Sequence, residues 1–163
     1  MQEEERPAEA DMQARLARAG DTAALQALLD SGRLEVDVAD EDGWTALFHA
    51  AAAGQVEAAA LLVERGAGVE RTDTWLSSPL LEAVKVGGEG VVALLLGAGA
   101  TTATRDTHQW SPLLAAAYLG HTRILARLLA AGADPAERGP HGESLVMNRY
   151  PHFVRLPIGG NPV

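Results

Sequence analysis

Polar and apolar positions along this chain keep time. Short apolar runs begin just after a hydroxyl residue at Thr45, Ser78 and Ser111, and second apolar runs end at Gly66, Gly99 and Gly132. Each of these series is spaced by 33 residues, as are Gly54, Gly87 and Gly120 and the turn aspartates Asp40, Asp73 and Asp106. Four kinds of position held in one register mark an array of repeated supersecondary units.

Every period follows the same local logic. The Thr or Ser hydroxyl accepts a hydrogen bond from a free backbone N–H of a first helical turn. Pro79 and Pro112 follow at the first helical position, where no N–H is needed. A short helix with small side chains comes next, around Ala50-Ala51, Ala83-Val84 and Ala116-Ala117, and a glycine ends it. A second helix carries Leu61-Leu62, Leu94-Leu95 and Leu128-Leu129 and stops at a glycine suited to positive φ. The predicted fold is all-α: stacked helix-turn-helix units joined by finger-like turns.

The units fall at about 40–72, 73–105 and 106–138, with a degenerate first unit over 11–39 and a partial fifth over 139–149. Residues 1–10 read as a flexible acidic N-terminus. In the fifth unit Ser144 is in register, but Pro151, Pro157 and Pro162 prevent helices. Residues 150–163 read as an irregular, extended tail, apolar at Tyr150, Phe153, Val154, Leu156 and Ile158, which folds over the last full unit as a cap. Gly87, Gly88 and Gly90 predict a longer or frayed turn between the two helices of the 73–105 unit.

Asp42-Gly43-Trp44-Thr45-Ala46-Leu47, Gly120-His121, Gly66-Ala67, Gly99-Ala100 and Gly132-Ala133-Asp134, set at this period, resemble the ankyrin repeat. The resemblance implies a solenoid whose fingertips and exposed first-helix face bind protein partners. One departure is that the family's histidine after the leucine is replaced by Phe48, Leu81 and Leu114, so its usual hydrogen bond is lost.

Composition narrows the function. The formal net charge of -9 repels phosphate backbones and anionic membranes, so neither nucleic acid nor membrane is an expected partner; a basic protein is. With no cysteine there is no disulfide or thiolate metal site, which fits a cytoplasmic protein. The N-terminal segment lacks the pattern of a signal peptide, and no apolar run is long enough for a bilayer.

All three tryptophans fall in the turns between units, Trp44 and Trp110 two periods apart in one slot. Register places Glu41, Asp42, Trp44, Thr74, Trp75, Ser77, Thr107, His108 and Trp110 on fingers, His141 and Glu143 on the next finger, and Ala52, Ala53, Lys85, Val86, Tyr118 and Leu119 on the first-helix face. Four of the seven aromatic residues therefore map to one surface, and these residue types dominate protein interfaces. The competing reading is that the tryptophans pack between fingers and stiffen the array. Ser78 and Ser111 are helix caps without a nucleophile elbow, the recurring aspartates are turn residues, and no enzyme chemistry, cofactor or metal is expected. A metal at His108 and His141 would need Glu143 as well. The leading reading is a non-enzymatic protein-binding module acting as inhibitor, immunity-type neutraliser, adaptor or assembly subunit. Self-association through the tail and binding of a small cationic ligand at the tryptophans remain as alternatives.

Overall fold

The structure, a computed structural model, describes residues 5–32, 34–142, 144, 146 and 149. Among these residues eight helices are defined, in order: α1 (Glu5–Ala19), α2 (Thr22–Asp30), α3 (Ala46–Ala52), α4 (Val56–Glu64), α5 (Pro79–Lys85), α6 (Glu89–Gly97), α7 (Pro112–Leu119) and α8 (Thr122–Ala130). They pair as α1–α2, α3–α4, α5–α6 and α7–α8, and the pairs stack into two layers. The inner layer is α1, α3, α5 and α7, each packed on the next; α2, α4, α6 and α8 form the outer layer.

The caps act as their residue types require. Thr45, Ser78 and Ser111 accept from the backbone N–H of Phe48, Leu81 and Leu114 at 3.3, 3.2 and 3.1 Å. Each such cap contributes about 1 kcal/mol. The inner helices approach closely because the side chains between them are small: Ala50, Ala51, Ala83, Val84, Ala116 and Ala117 are fully buried. Outer helices add the larger apolar stripe of Leu25, Leu62, Leu95 and Leu128. One continuous core therefore runs the length of the stack, as a solenoid requires.

α1 begins inside the stretch read above as an N-terminal extension, so the first unit is longer than the period suggests. Its buried face is Ala10, Gln13, Ala14 and Ala17, a helical stripe of mostly small residues set against α3. The turn at Gly87–Gly88 also departs from expectation. It is no longer than its neighbours, because α6 starts 33 residues after α4 and 33 before α8. These glycines are sites of close approach. A Cβ at Gly90 would lie 2.7 Å from Val56 Cγ2, and one at Gly87 would lie 3.1 Å from His121 Cε1. The tail from Tyr150, read above as a cap, lies outside the described residues.

Candidate functional site: the fingers and the inner-helix ridge

Each finger is built on its aspartate. Asp40 Oδ1 accepts from the N–H of Asp42 and Trp44, at 3.1 and 2.8 Å. Asp73 Oδ1 accepts from Trp75 and Ser77, at 2.9 and 2.8 Å, and Asp106 Oδ1 accepts from His108 and Trp110, both at 2.9 Å. One carboxylate thus holds the residues two and four positions on, the Asx-turn geometry that makes Asp the turn residue here. Adjacent fingers are joined by main chain: Thr74 N–H donates to the Asp42 carbonyl at 3.2 Å, and Thr107 N–H to the Trp75 carbonyl at 2.9 Å. The fourth finger breaks both rules. Gly139 stands where the aspartate would be, and Pro140 where the donating N–H would be.

The second aspartate oxygen is used differently in each finger. Asp40 Oδ2 meets His49 Nε2 at 2.8 Å, Asp73 Oδ2 accepts from Trp44 Nε1 at 3.2 Å, and Asp106 Oδ2 lies 3.7 Å from Lys85 Nζ. Phe48, Leu81 and Leu114 do forfeit the histidine slot, but His49, one position further, ties α3 back to its finger.

Position within the finger decides which side chains face out. The fourth residue after the aspartate turns inward. Trp44 is half-buried, with its ring centroid 4.6 Å from that of Phe48 and 5.1 Å from that of His49. Trp110 is half-buried against the core, 5.2 Å from the ring of Tyr118. Ser77, offered above as a surface contact, is buried, and its hydroxyl donates to Glu82 at 2.6 Å. Trp44 donates its indole N–H to Asp73 of the neighbouring finger, the kind of contact that the stiffening reading expects. Trp110 has no such bond to make, because Gly139 offers no carboxylate at the equivalent place.

The second residue after the aspartate turns outward. Asp42, Trp75 and His108 are exposed, Trp75 by 48%. Glu41, Thr74, Thr107 and His141 are exposed as well, and Glu143 lies outside the described residues. Lys85 is exposed but paired, 2.7 Å from Glu82. Its register equivalent Tyr118 is exposed by 58%.

One contributor was missed in the sequence. Leu76 is 54% exposed and adopts φ of 61°, the left-handed region that Gly43 occupies in the first finger. Val86 and Leu119, which register places on the first-helix face, lie one period apart at the C-terminal ends of α5 and α7 and are exposed. A signal was present for Leu76: the glycine slot of the finger is filled by leucine.

Behind the third finger, Arg105 donates to Glu137 at 2.9 Å and to the Gln109 carbonyl at 2.8 Å. Ser111 also donates to Glu137, at 2.6 Å. Burial pushes the Glu137 carboxyl above the ordinary 4.5; the Ser111 hydrogen bond and Arg105 oppose that rise, and Asp134 adds to it.

No two tryptophan rings stack; the ring pairs among the described residues are Trp44–Phe48, Trp44–His49 and Trp110–Tyr118. Among those residues no group of three or more His, Asp or Glu is placed to hold a metal ion, and no helix is long and apolar enough to cross a membrane.

Comparison with known families finds two matches. The family described as "Ankyrin repeats (many copies)" matches residues 13–63, and "Ankyrin repeat" matches residues 108–139. No curated protein matches the chain.

Proposed function

The chain belongs to the ankyrin repeat family, and from that premise we propose that it binds a protein partner through the second and third fingers and the adjoining inner-helix ridge. Ankyrin repeats are protein-interaction modules, typically without catalysis. The observation that carries the finer reading is where exposed apolar surface lies. Among the described residues seven large apolar side chains are exposed, and five of them are Trp75, Leu76, Val86, Tyr118 and Leu119. Exposed apolar surface gathered on one side of a protein marks a site of interaction.

The anchors are Trp75 and Tyr118, large rings that lose little entropy on binding. Trp110 supports Tyr118 from beneath. Glu41 and Asp42 on the first finger form an acidic rim, which with the net charge of -9 favours a basic partner and speeds its encounter. Occupancy is then the activity, as in an inhibitor, neutraliser, adaptor or assembly subunit.

The test is capture of partners from the source cells by wild type and by Trp75→Ala/Tyr118→Ala. The variant is expected to keep its helical signal and to lose at least about 10-fold in affinity for the captured protein. Equal capture by both would remove the proposed surface from consideration.

A further inference from the structure

Part of the ridge has a candidate occupant within the chain itself. We propose that residues 150–163 dock on the Val86–Tyr118–Leu119 ridge of their own molecule and compete there with the protein partner. The competition rests on the protein-binding reading above; the docking does not.

The ridge is exposed, by 51% at Val86, 58% at Tyr118 and 46% at Leu119. It is continuous, because Val86 and Leu119 hold equivalent places on α5 and α7, which pack on each other. Val146, the register equivalent of Leu113, is fully buried in the same core, Arg149 is exposed, and the segment begins at the next residue. The 14 residues from Tyr150 to Val163 reach at most about 46 Å. One helix spacing is about 10 Å, so α7 and then α5 are well within range.

The chemistry of the segment matches the ridge. Tyr150, Phe153, Val154, Leu156 and Ile158 supply apolar side chains, and Pro151, Pro157 and Pro162 favour an extended course without helix. None of the 22 acidic residues lies beyond Glu143, while Arg149 and Arg155 lie in the last 15 residues. A basic, apolar tail is thus tethered to a strongly acidic array, and the field draws it in. α8, at the end of the stack, contributes none of the exposed large apolar residues, so the surface that needs covering is the ridge.

The absence of cysteine allows a clean test. A full-length Thr122→Cys/Gly159→Cys chain puts one thiol beside the ridge and one in the tail, leaving both apolar surfaces intact. Arg127→Cys/Gly159→Cys is the control, on the same helix and also exposed. Both are treated with a short bismaleimide at low concentration and read by mass. The expected result is intramolecular cross-linking at least about 10-fold faster for the Thr122 pair, lost when Phe153→Asp/Leu156→Asp is added. Equal rates overturn the proposal, and so does a predominantly cross-linked dimer, which would assign the tail to a second copy. In the capture experiment, Phe153→Asp/Leu156→Asp in an otherwise wild-type chain is expected to bind about 10-fold more tightly if the tail covers the ridge nine-tenths of the time; unchanged affinity overturns the competition. Capture that survives Trp75→Ala/Tyr118→Ala counts instead against the protein-binding reading, so the two failures are distinguishable.

Discussion

The first and second fingers share a scaffold and display opposite chemistry. Both hang from an aspartate whose Oδ1 gathers the second and fourth N–H groups after it. In the first finger the outward position is Asp42, the left-handed position is Gly43 and the inward position is Trp44. In the second these are Trp75, Leu76 and Ser77. The first therefore hides its tryptophan and shows carboxylates, while the second hides a serine and shows tryptophan and leucine. Two residues of register separate a packing tryptophan from an available one. A leucine with positive φ is also held against its own backbone preference, at a cost of about 1–2 kcal/mol. Strain of that kind concentrates at functional positions.

The largest effect should come from the shared scaffold. Asp73→Ala removes a buried carboxylate that accepts from Trp75, Ser77 and Trp44, and it should cost about 2–4 kcal/mol in urea unfolding. Asp42→Ala, at an exposed position, should stay within about 0.5 kcal/mol. Next come the two tryptophans. Trp44→Ala should lose about 2–3 kcal/mol through its contacts with Phe48 and Asp73. Trp75→Ala should leave stability within about 0.5 kcal/mol and weaken partner capture. If the two variants unfolded at the same urea concentration, the contrast between the fingers would be lost.

Leu76→Gly gives the second finger the residue of the first. Relief of positive φ outweighs the extra entropy of glycine, so a gain of about 0.5 kcal/mol is expected in thermal unfolding, together with weaker capture. The smallest effect lies behind the third finger. Glu137 holds its proton more tightly when folded, because burial disfavours the charge. Its contribution is full below about pH 4.5, the unfolded value, and declines as pH rises through the higher folded value. Glu137→Gln should flatten that part of the stability–pH curve.

The repeat was legible because its signals are local. Capping hydroxyls, prolines at the first helical position and glycines after the last turn each report on a few neighbouring residues, and the 33-residue spacing multiplies them. The finger aspartates were legible for the same reason. The direction of a finger side chain was less so, since it depends on which N–H groups the aspartate gathers and on the next finger. Trp44 looked like a surface anchor until Asp73, 29 residues on, proved to accept its indole N–H. The glycines at 87 and 90 suggested looseness because the partners that crowd them, His121 and Val56, belong to other units. Leu76 escaped notice as an ordinary leucine, whose exposure only the stack determines.

The contrast between the fingers is tested most directly by hydrogen exchange at the tryptophan indoles, followed by NMR of the 15N-labelled chain with each resonance assigned by substitution. Trp44 Nε1–H is held by Asp73 within a packed finger, whereas Trp75 is 48% exposed. The account predicts slow exchange at Trp44, solvent-like exchange at Trp75, and loss of the Trp44 protection in Asp73→Ala. Equal exchange at the two indoles, or protection at Trp75 alone, would contradict it.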